Sequence, residues 1–451
     1  GYVLRRLIRG ILKTTYLLGV RGSYLTEPAE LVIGKMGEFY PELASARQGI
    51  LTWLSKEEES FFSVLERGSA DLSAAIKDVW ASGERVISGK LLFTLHDTYG
   101  FPFEVAKEFA LSRGYEVNEQ EFDEEMAKQR QRARSAKEFA TDFGTSEVTQ
   151  MDNHEAKFLG YELLSATASY VGMQPFSGKL DVKEKDADAL SEIEGKQLFF
   201  IYTDATPFYA ETGGQPGDTG YITADGLRFR VIGSKTLGEH LGFFVEGGKD
   251  ELKEGMQLAL EVDEPRRRAI MRAHTMAHAM LAAMRKVLGE HVSQAGSQLY
   301  PDRVRFDFSH YQAMTDKEMQ QVEALVNETI LADYPVWTQE MPLVEAKKQG
   351  VTAVFDEKYG ETVRVVNIGE EGAQVSRELC GGTHLTRTSQ AGSFVLVHEE
   401  SVQSGVRRVE AAVGMEAFRF LQQYRWTATT LMREFRVRLD ELAPAVAMQR
   451  E

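Results

Sequence analysis

Near residue 150 the hydrophobic periodicity of this 451-residue chain changes, and that change constrains its architecture more than any single residue does. Before about residue 140, apolar side chains recur at three- and four-residue spacing, as in LLFTLHDTYGFPFEVAKEFALSRG, and β-branched alternation is scarce. That spacing lines one face of a helix. Pro102 follows a Gly-Phe pair, so a helix break is expected near DTYGFP. From about 150 to 262 the pattern becomes short alternating runs, QLFFIYTD, GYITADGLRFRVIGSK and LGFFVEGG, with Gly-rich turns between them. Asp225-Gly226 between two such runs signals a hairpin, and closely spaced strands suggest a small barrel. Pro265 then opens a long helix, PRRRAIMRAHTMAHAMLAAMRKVLGEH, with Gly289 at its end. Strand-like RVRFDFSH, TVRVVNIG and GSFVLVHEE accompany the helical DKEMQQVEALVNETILAD, an α+β pattern. After Gly414 the chain reads as helical again. The fold class expected is an α + β multidomain protein with a helical first part, a small β-barrel and an α+β core.

Composition narrows the function classes. With 43% hydrophobic residues a sizeable core is available, and the absence of an apolar run of about 18 residues argues against a membrane span. The opening GYVLRRLIRGILKTTYLLG resembles a targeting segment, but no small-residue cleavage site follows. Val3, Leu4, Leu7, Ile8, Ile11 and Leu12 keep a helical period, so a folded surface helix is expected. Cys380 is the single cysteine, which excludes an intrachain disulfide and fits a reducing compartment. The net charge of −16 excludes nucleic-acid binding over the whole surface, so any such contact needs local basic patches. Two exist: Arg5, Arg6, Arg9, Lys13 and Arg21 in residues 1–22, where no acid occurs, and Lys128, Arg130, Arg132, Arg134 and Lys137 in residues 128–137. Each patch reads equally well as a solvated helix face.

The chemistry concentrates in two pairs. His274 and His278 are four apart on the expected helix, so their imidazoles share a face and can meet one metal ion. The cysteine lies in CGGTH, with His384 four residues beyond Cys380. Thiolate and imidazole are favoured zinc ligands, and a Cys/His set suits a tetrahedral site. Gly381 and Gly382 allow a tight turn between the two ligands. A buried structural cysteine beside a surface histidine is the bland alternative. No Glu follows His274, so this is not the HExxH protease pattern. FYAETGGQPGDTG at 208–220 is a second unusual run, read as a ligand-approaching loop or a tight barrel corner. Ser293 and Gln294 in HVSQAGSQL could offer polar contacts to a substrate, and Arg407 or Arg408 in GVRRVEAAVG could meet a phosphate or a carboxylate.

Taken in order, GYVLRRLIRG, HDTYGFP, FYAETGGQPGDTG, HTMAH, VSQAGS, RFDFSH, CGGTH and GVRRVEA resemble blocks of the alanyl-tRNA synthetase family across nearly the whole chain. The HxxxH and CGGTH pair is shared with free-standing alanyl editing proteins and, more distantly, with threonyl-tRNA synthetase. The resemblance implies a helical tRNA-recognition domain at 1–145, a β-barrel subdomain at 146–262 and a zinc-containing editing core of the alanyl/threonyl type at 263–415. A helical linker at 416–451 would lead to a C-terminal domain. It further implies an interior fragment lacking both that domain and the class II catalytic domain. Alanine activation is then not expected, and a homodimer would form only through the missing C-terminal region. Two departures stand out: Ala277 where the family often carries Thr in HTATH, and Asp356 in VFDEKYG where it carries Gly.

What the resemblance implies for function is hydrolysis of seryl- or glycyl-tRNA(Ala) in the cytoplasm. Zn2+ would be held by His274, His278 and Cys380, with His384 as the open question of a fourth ligand. The metal would either activate water or hold the substrate beside a free water. Gln294 and the 211–215 loop are the expected contacts to the aminoacyl end, with Thr212 expected to sense the serine hydroxyl. Asp97 is expected either to contact the identity base pair of the acceptor stem or to cap a helix before Gly100. The N-terminal Arg5, Arg6 and Arg9 would bind tRNA phosphates with salt-sensitive affinity. A zinc-stabilised tRNA-binding module without turnover is the alternative, and a general metallohydrolase is a third class.

Overall fold

The computed structural model describes residues 2–20, 22–81, 85–129, 156–176, 197–238, 240–247, 252–352, 359–403 and 405–448. Arg21, Arg130, Arg132, Arg134, Lys137 and Asp356, singled out above, lie outside the described residues. The chain divides into two compact units, Gly1–Thr145 and Ser146–Glu451.

The first unit is built from helices: α1 (Tyr2–Leu17), α2 (Thr26–Met36), α3 (Pro41–Ser45), α4 (Arg47–Ala81), α5 (Gly89–Tyr99), α6 (Phe103–Leu111) and a further helical run, α7 (119–129). Its core joins Phe61, Leu65 and Leu72 of α4 to Leu92, Leu95 and Val105 of the shorter helices. A two-residue parallel pair, β1 (Val86–Ile87) with β2 (Glu116–Val117), closes the connections. The break at DTYGFP has a local cause. Gly100 takes the left-handed conformation (φ 71°), and Pro102 N-caps α6. The opening helix buries Ile8 and Leu12 and leaves Val3, Leu4, Leu7 and Ile11 exposed.

The second unit starts with a closed barrel. Its strands are β4 (Ser165–Phe176), β5 (Leu198–Thr203), β7 (Gly220–Ala224), β8 (Leu227–Leu237), β9 (His240–Glu246) and β10 (Gln257–Val262), in the order β10-β4-β5-β9-β8-β7. β10 closes it by pairing antiparallel with both β4 and β7. A separate small parallel pair joins β3 (Lys157–Phe158), ahead of the barrel, to β6 (Ala205–Thr206). The β7–β8 hairpin turns through Asp225 (φ 47°) and Gly226 (φ 82°), the Asp-Gly signal of the sequence.

Helix α8 (Glu264–Leu288) follows, with Asp263 as N-cap and Pro265 in its first turn. It packs on β11 (Gln294–Leu299), β12 (Arg303–Ser309) and β17 (Val406–Val413), which with β16 (Phe394–Gln403) make the sheet β11-β12-β17-β16. The same helix packs on β15 (Ala373–Leu379) of a second sheet, β13 (Val336–Pro342)-β14 (Thr362–Glu370)-β15. Helix α9 (Asp316–Leu331) completes the layer against α8. One apolar core joins Met276, Met280 and Met284 of α8 to Phe306, Val366 and Val326. Helices α10 (Leu343–Lys348), α11 (Met415–Phe435) and α12 (Leu439–Met448) lie outside that core.

Barrel and core are tied at the first turn of α8. Arg267 is fully buried; its Nε lies 2.9 Å from both oxygens of Asp218, and its guanidinium donates to Gly160 O (2.7 Å) and Pro207 O (2.8 Å). Asp218 also accepts from the Tyr209 N–H at 2.7 Å. The 207–218 loop is therefore held by ionic hydrogen bonds that water cannot replace. Asp218→Ala would leave a buried guanidinium unpaired, and the expected cost is about 3–5 kcal/mol in urea denaturation. A loss below about 1 kcal/mol would show that the tie carries little of the stability.

Candidate metal centre

Helix α8 supplies the first half of the site. His274 and His278 sit on one face with rings stacked at 5.2 Å and 15°. β15 supplies the second half, because Cys380 follows its last residue and the CGGTH turn returns His384 toward the helix. The ligand atoms of His274, His278, Cys380 and His384 all lie within 4.8 Å of one another. Cys380 Sγ is 3.3 Å from His274 Nε2 and 3.3 Å from His384 Nε2. Two donors on one tetrahedral zinc ion sit about 3.5 Å apart, given zinc bond lengths of roughly 2.0–2.3 Å. Both halves expected from the sequence therefore converge.

The surroundings fix which ring nitrogen faces inward. Thr383 N–H donates to Gln215 Oε1 at 3.0 Å, and a backbone N–H can only donate. Gln215 Oε1 is thus an acceptor, so His274 Nδ1, 2.8 Å away, carries a proton and leaves the Nε2 lone pair free. His278 Nδ1 donates to Glu378 Oε2 at 2.8 Å, while Ser376 Oγ donates to the other oxygen of Glu378 at 2.7 Å. His384 Nδ1 lies 3.4 Å from Thr275 Oγ1, which accepts from Leu385 N–H at 3.0 Å.

A divalent cation fits this donor set on three grounds. His278 Nε2 is buried with no hydrogen-bond partner. Burial favours the Cys380 thiol, but the adjacent His274 and His384 outweigh it and hold the group well below the usual thiol range. Burial likewise disfavours a charged His278, yet Glu378 outweighs it and raises that imidazole well above its usual range. His384 has no such carboxylate, and burial beside His274 pushes it down to about 3. A thiolate, imidazole nitrogens and a balancing carboxylate are what zinc selects, and a cation at this point would take the place of a proton on His278 Nε2.

A cleft of about 520 Å³ opens beside these ligands, lined by His274, His278 and Cys380 together with Thr212, Gln294 and Ser297. The structure thus brings the two expected aminoacyl contacts, Thr212 and Gln294, to the metal ligands, and Gln294 Nε2 donates to Ser297 Oγ at 3.0 Å. Ala277 lines the same cleft. Ser293 instead pairs with Ser309, and the two arginines of GVRR meet carboxylates: Arg407 bonds Glu399 and Arg408 bonds Asp307. Arg364 braces the CGGTH turn, donating to Cys380 O (3.0 Å) and Gly382 O (2.8 Å) above the Tyr161 ring. Glu378 and Thr275 are supporting residues that the sequence does not single out, whereas Gln215 belongs to the 211–215 loop expected at the aminoacyl end and is found bonded to His274. Glu378 had a signal: it shares a strand face with Cys380, two residues away.

In the first unit, Asp97 sits exposed in the last turn of α5 and accepts from Gln129 Nε2. Gly100, not Asp97, terminates that helix. Arg5 and Arg9 both donate to the buried Glu57, at 3.2 and 2.6 Å, while Arg6 is exposed. Lys128 pairs with Glu125 at 2.8 Å.

Comparison with known proteins gives the family of the chain. A family model described as tRNA synthetases class II (A) matches residues 1–266, and the chain belongs to that family. A second model, the threonyl and alanyl tRNA synthetase second additional domain, matches residues 363–410, which contain Cys380 and His384. Similar curated proteins include alanine--tRNA ligases. That of Burkholderia orbicola is 39% identical over 456 residues, covering 100% of this chain and 50% of the relative. That of Acetivibrio thermocellus is 41% identical over 430 residues (94% and 47%), and that of Petrotoga mobilis 40% over 435 residues (96% and 48%). The chain spans about half the length of these curated relatives.

One expectation is overturned. The class II synthetase region was expected to lie outside the chain, yet its family model covers residues 1–266. The exclusion of alanine activation rested on that absence and falls with it. GYVLRR and DTYGFP lie inside the matched span, and helical periodicity separates core from surface without showing which part of a synthetase a helix serves. Among the described residues, no helix is long and apolar enough to cross a membrane.

Gly382 gives a direct test of the geometry. A Cβ there would lie 2.1 Å from His274 Cε1, so the imidazole must move. Gly382→Ala is expected to weaken zinc binding by at least roughly tenfold in a chelator competition, with far-UV circular dichroism unchanged. Parent-like affinity would show that His274 does not need this position.

Proposed function

We propose that this chain hydrolyses the ester that joins a wrong amino acid, serine or glycine, to the 3′-terminal adenosine of tRNA(Ala). One observation carries the reading: Thr212 and Gln294 line the same cleft as His274, His278 and Cys380. Its volume suits a small ligand group. The need for such a reaction is chemical. A synthetic pocket for alanine cannot strongly reject glycine, which is smaller, or serine, which adds only a hydroxyl, because each difference is worth about 1–3 kcal/mol.

In the proposed reaction a water oxygen bonds to the ester carbonyl carbon and the bond to the ribose oxygen breaks. The electron pair stays on that oxygen, which takes up a proton, so free amino acid and tRNA(Ala) leave. The Gln294 amide and the Thr212 hydroxyl orient the aminoacyl group. A bound zinc ion would supply a double positive charge. His274, His278, Cys380 and His384 would hold it as four protein donors. Catalytic zinc usually keeps an open position, so this set favours holding and orienting over making the attacking water. In the helical unit, exposed Arg6 and Asp97 are proposed to meet the acceptor end, Arg6 through phosphate and Asp97 through a base pair. Arg5 and Arg9 are committed in part to Glu57.

The test is zinc content and seryl-tRNA(Ala) deacylation, measured for the parent and for Cys380→Ala. The parent is expected to bind zinc and accelerate hydrolysis over buffer. Cys380→Ala should lose both, activity by more than about 100-fold, while tRNA binding is retained; even an outer-shell partner costs roughly 10–100-fold. Equal hydrolysis by the two proteins would rule out the assignment. Zinc and tRNA binding without turnover would leave a zinc-stabilised tRNA-binding module. Hydrolysis of small esters without tRNA would indicate a general metallohydrolase.

A further inference from the structure

We infer that Gln215 is a positioning residue that sets His274 as an Nε2 donor and so couples the glycine-rich barrel loop to the metal centre. The inference rests on the reading that the four side chains hold a divalent metal. Gln215 is fully buried and lies 59 residues before His274, on a different substructure. Both ends of its amide are used. Oε1 accepts from His274 Nδ1 (2.8 Å) and from Thr383 N–H (3.0 Å), and Nε2 donates to Thr383 Oγ1 (2.8 Å). Flipping the amide would face its NH2 group against the Thr383 N–H, so only one orientation is available.

The loop is itself fixed. Thr212 and Gln215 exchange backbone hydrogen bonds of 3.2 and 2.9 Å across Gly213 (φ 57°) and Gly214 (φ 82°), the positive-φ pair of a type I′ turn. Gly214 O accepts from Leu299 N–H at 2.9 Å, and a Cβ on Gly214 would meet Ser297 O at 2.3 Å. A Cβ on Gly382 would also press on Gln215 Oε1, at 2.8 Å. Wholly buried and bonded to both His274 and Thr383, the Gln215 amide holds the ring and the CGGTH turn in one register.

The test uses the full chain with Zn2+ and with Co2+ as a spectroscopic probe. Gln215→Met keeps the length and removes the acceptor. Gln215→Glu keeps an acceptor and lets Thr383 Oγ1 donate in turn. Gln215→Met is expected to bind zinc roughly 10–100-fold more weakly, with altered Co2+ ligand-field bands. Gln215→Glu should stay close to the parent in both readouts. Parent-like affinity and spectrum in Gln215→Met would overturn the inference, as would an equal loss in both variants. A parent that binds neither ion would overturn this inference and the metal reading together, whereas a metal-binding parent with a silent Gln215→Met overturns this inference alone.

Discussion

Burying polar groups without partners is the constraint that organises the second unit. Three imidazoles and a thiol stand close together beside an apolar core, and each unsatisfied group there would cost of the order of 1–3 kcal/mol. The fold meets this cost from outside the ligand set. Gln215, Glu378 and Thr275 take the outward nitrogens, and the inward nitrogens are left close enough to share one ion. His278 Nε2, buried and unpartnered, marks where that sharing is incomplete without a cation. The arrangement resembles metal sites in which outer partners fix the tautomer of each ligand.

Placing these partners requires three separate pieces of chain. Helix α8 provides two ligands because i and i+4 share a face. β15 provides Ser376, Glu378 and, just past its end, Cys380 on one face of a strand with period two. The barrel provides Gln215 through a loop that Arg267 and Asp218 hold against the start of the same helix. That buried ion pair is far from cheap, since both charges are removed from water. Its geometry, with a bidentate carboxylate and two carbonyl acceptors, is what makes it tolerable and what ties the loop to α8.

Sequence patterns disclosed what is local. The i, i+4 histidines, the lone cysteine in CGGTH, the Asp-Gly hairpin and the Gly-Phe-Pro helix break are all short-range signals, and each has its counterpart in the structure. Contacts set by tertiary packing were not legible. Closure of the barrel needs β10 to pair with both β4 and β7, strands some 40 to 90 positions earlier, and no pattern in β10 announces two partners. Arg5 and Arg9 looked like free cations in an acid-poor segment, but Glu57 arrives from α4 to meet them. The partner of Gln215 was hidden in the same way: the glycine run showed that backbone comes close to something, while what it approaches comes from elsewhere in the chain.

The geometry of the barrel turn has a consequence for any ligand in the cleft. Thr212 and Gln215 are the two ends of one four-residue turn, joined by paired backbone hydrogen bonds. Thr212 forms part of the cleft wall, and Gln215 orients the His274 ring that lines the same cleft. The wall and the ligand therefore cannot move independently. A displacement that widened the cleft at Thr212 would pull the amide oxygen from His274 Nδ1, and a rotated imidazole would push the turn back through the same contact. Gly214, pressed against Ser297 O, stops the turn from relaxing toward β11, the strand that carries Gln294. The cleft wall at Thr212 and the orientation of the His274 ring are thus set through one hydrogen-bonded turn.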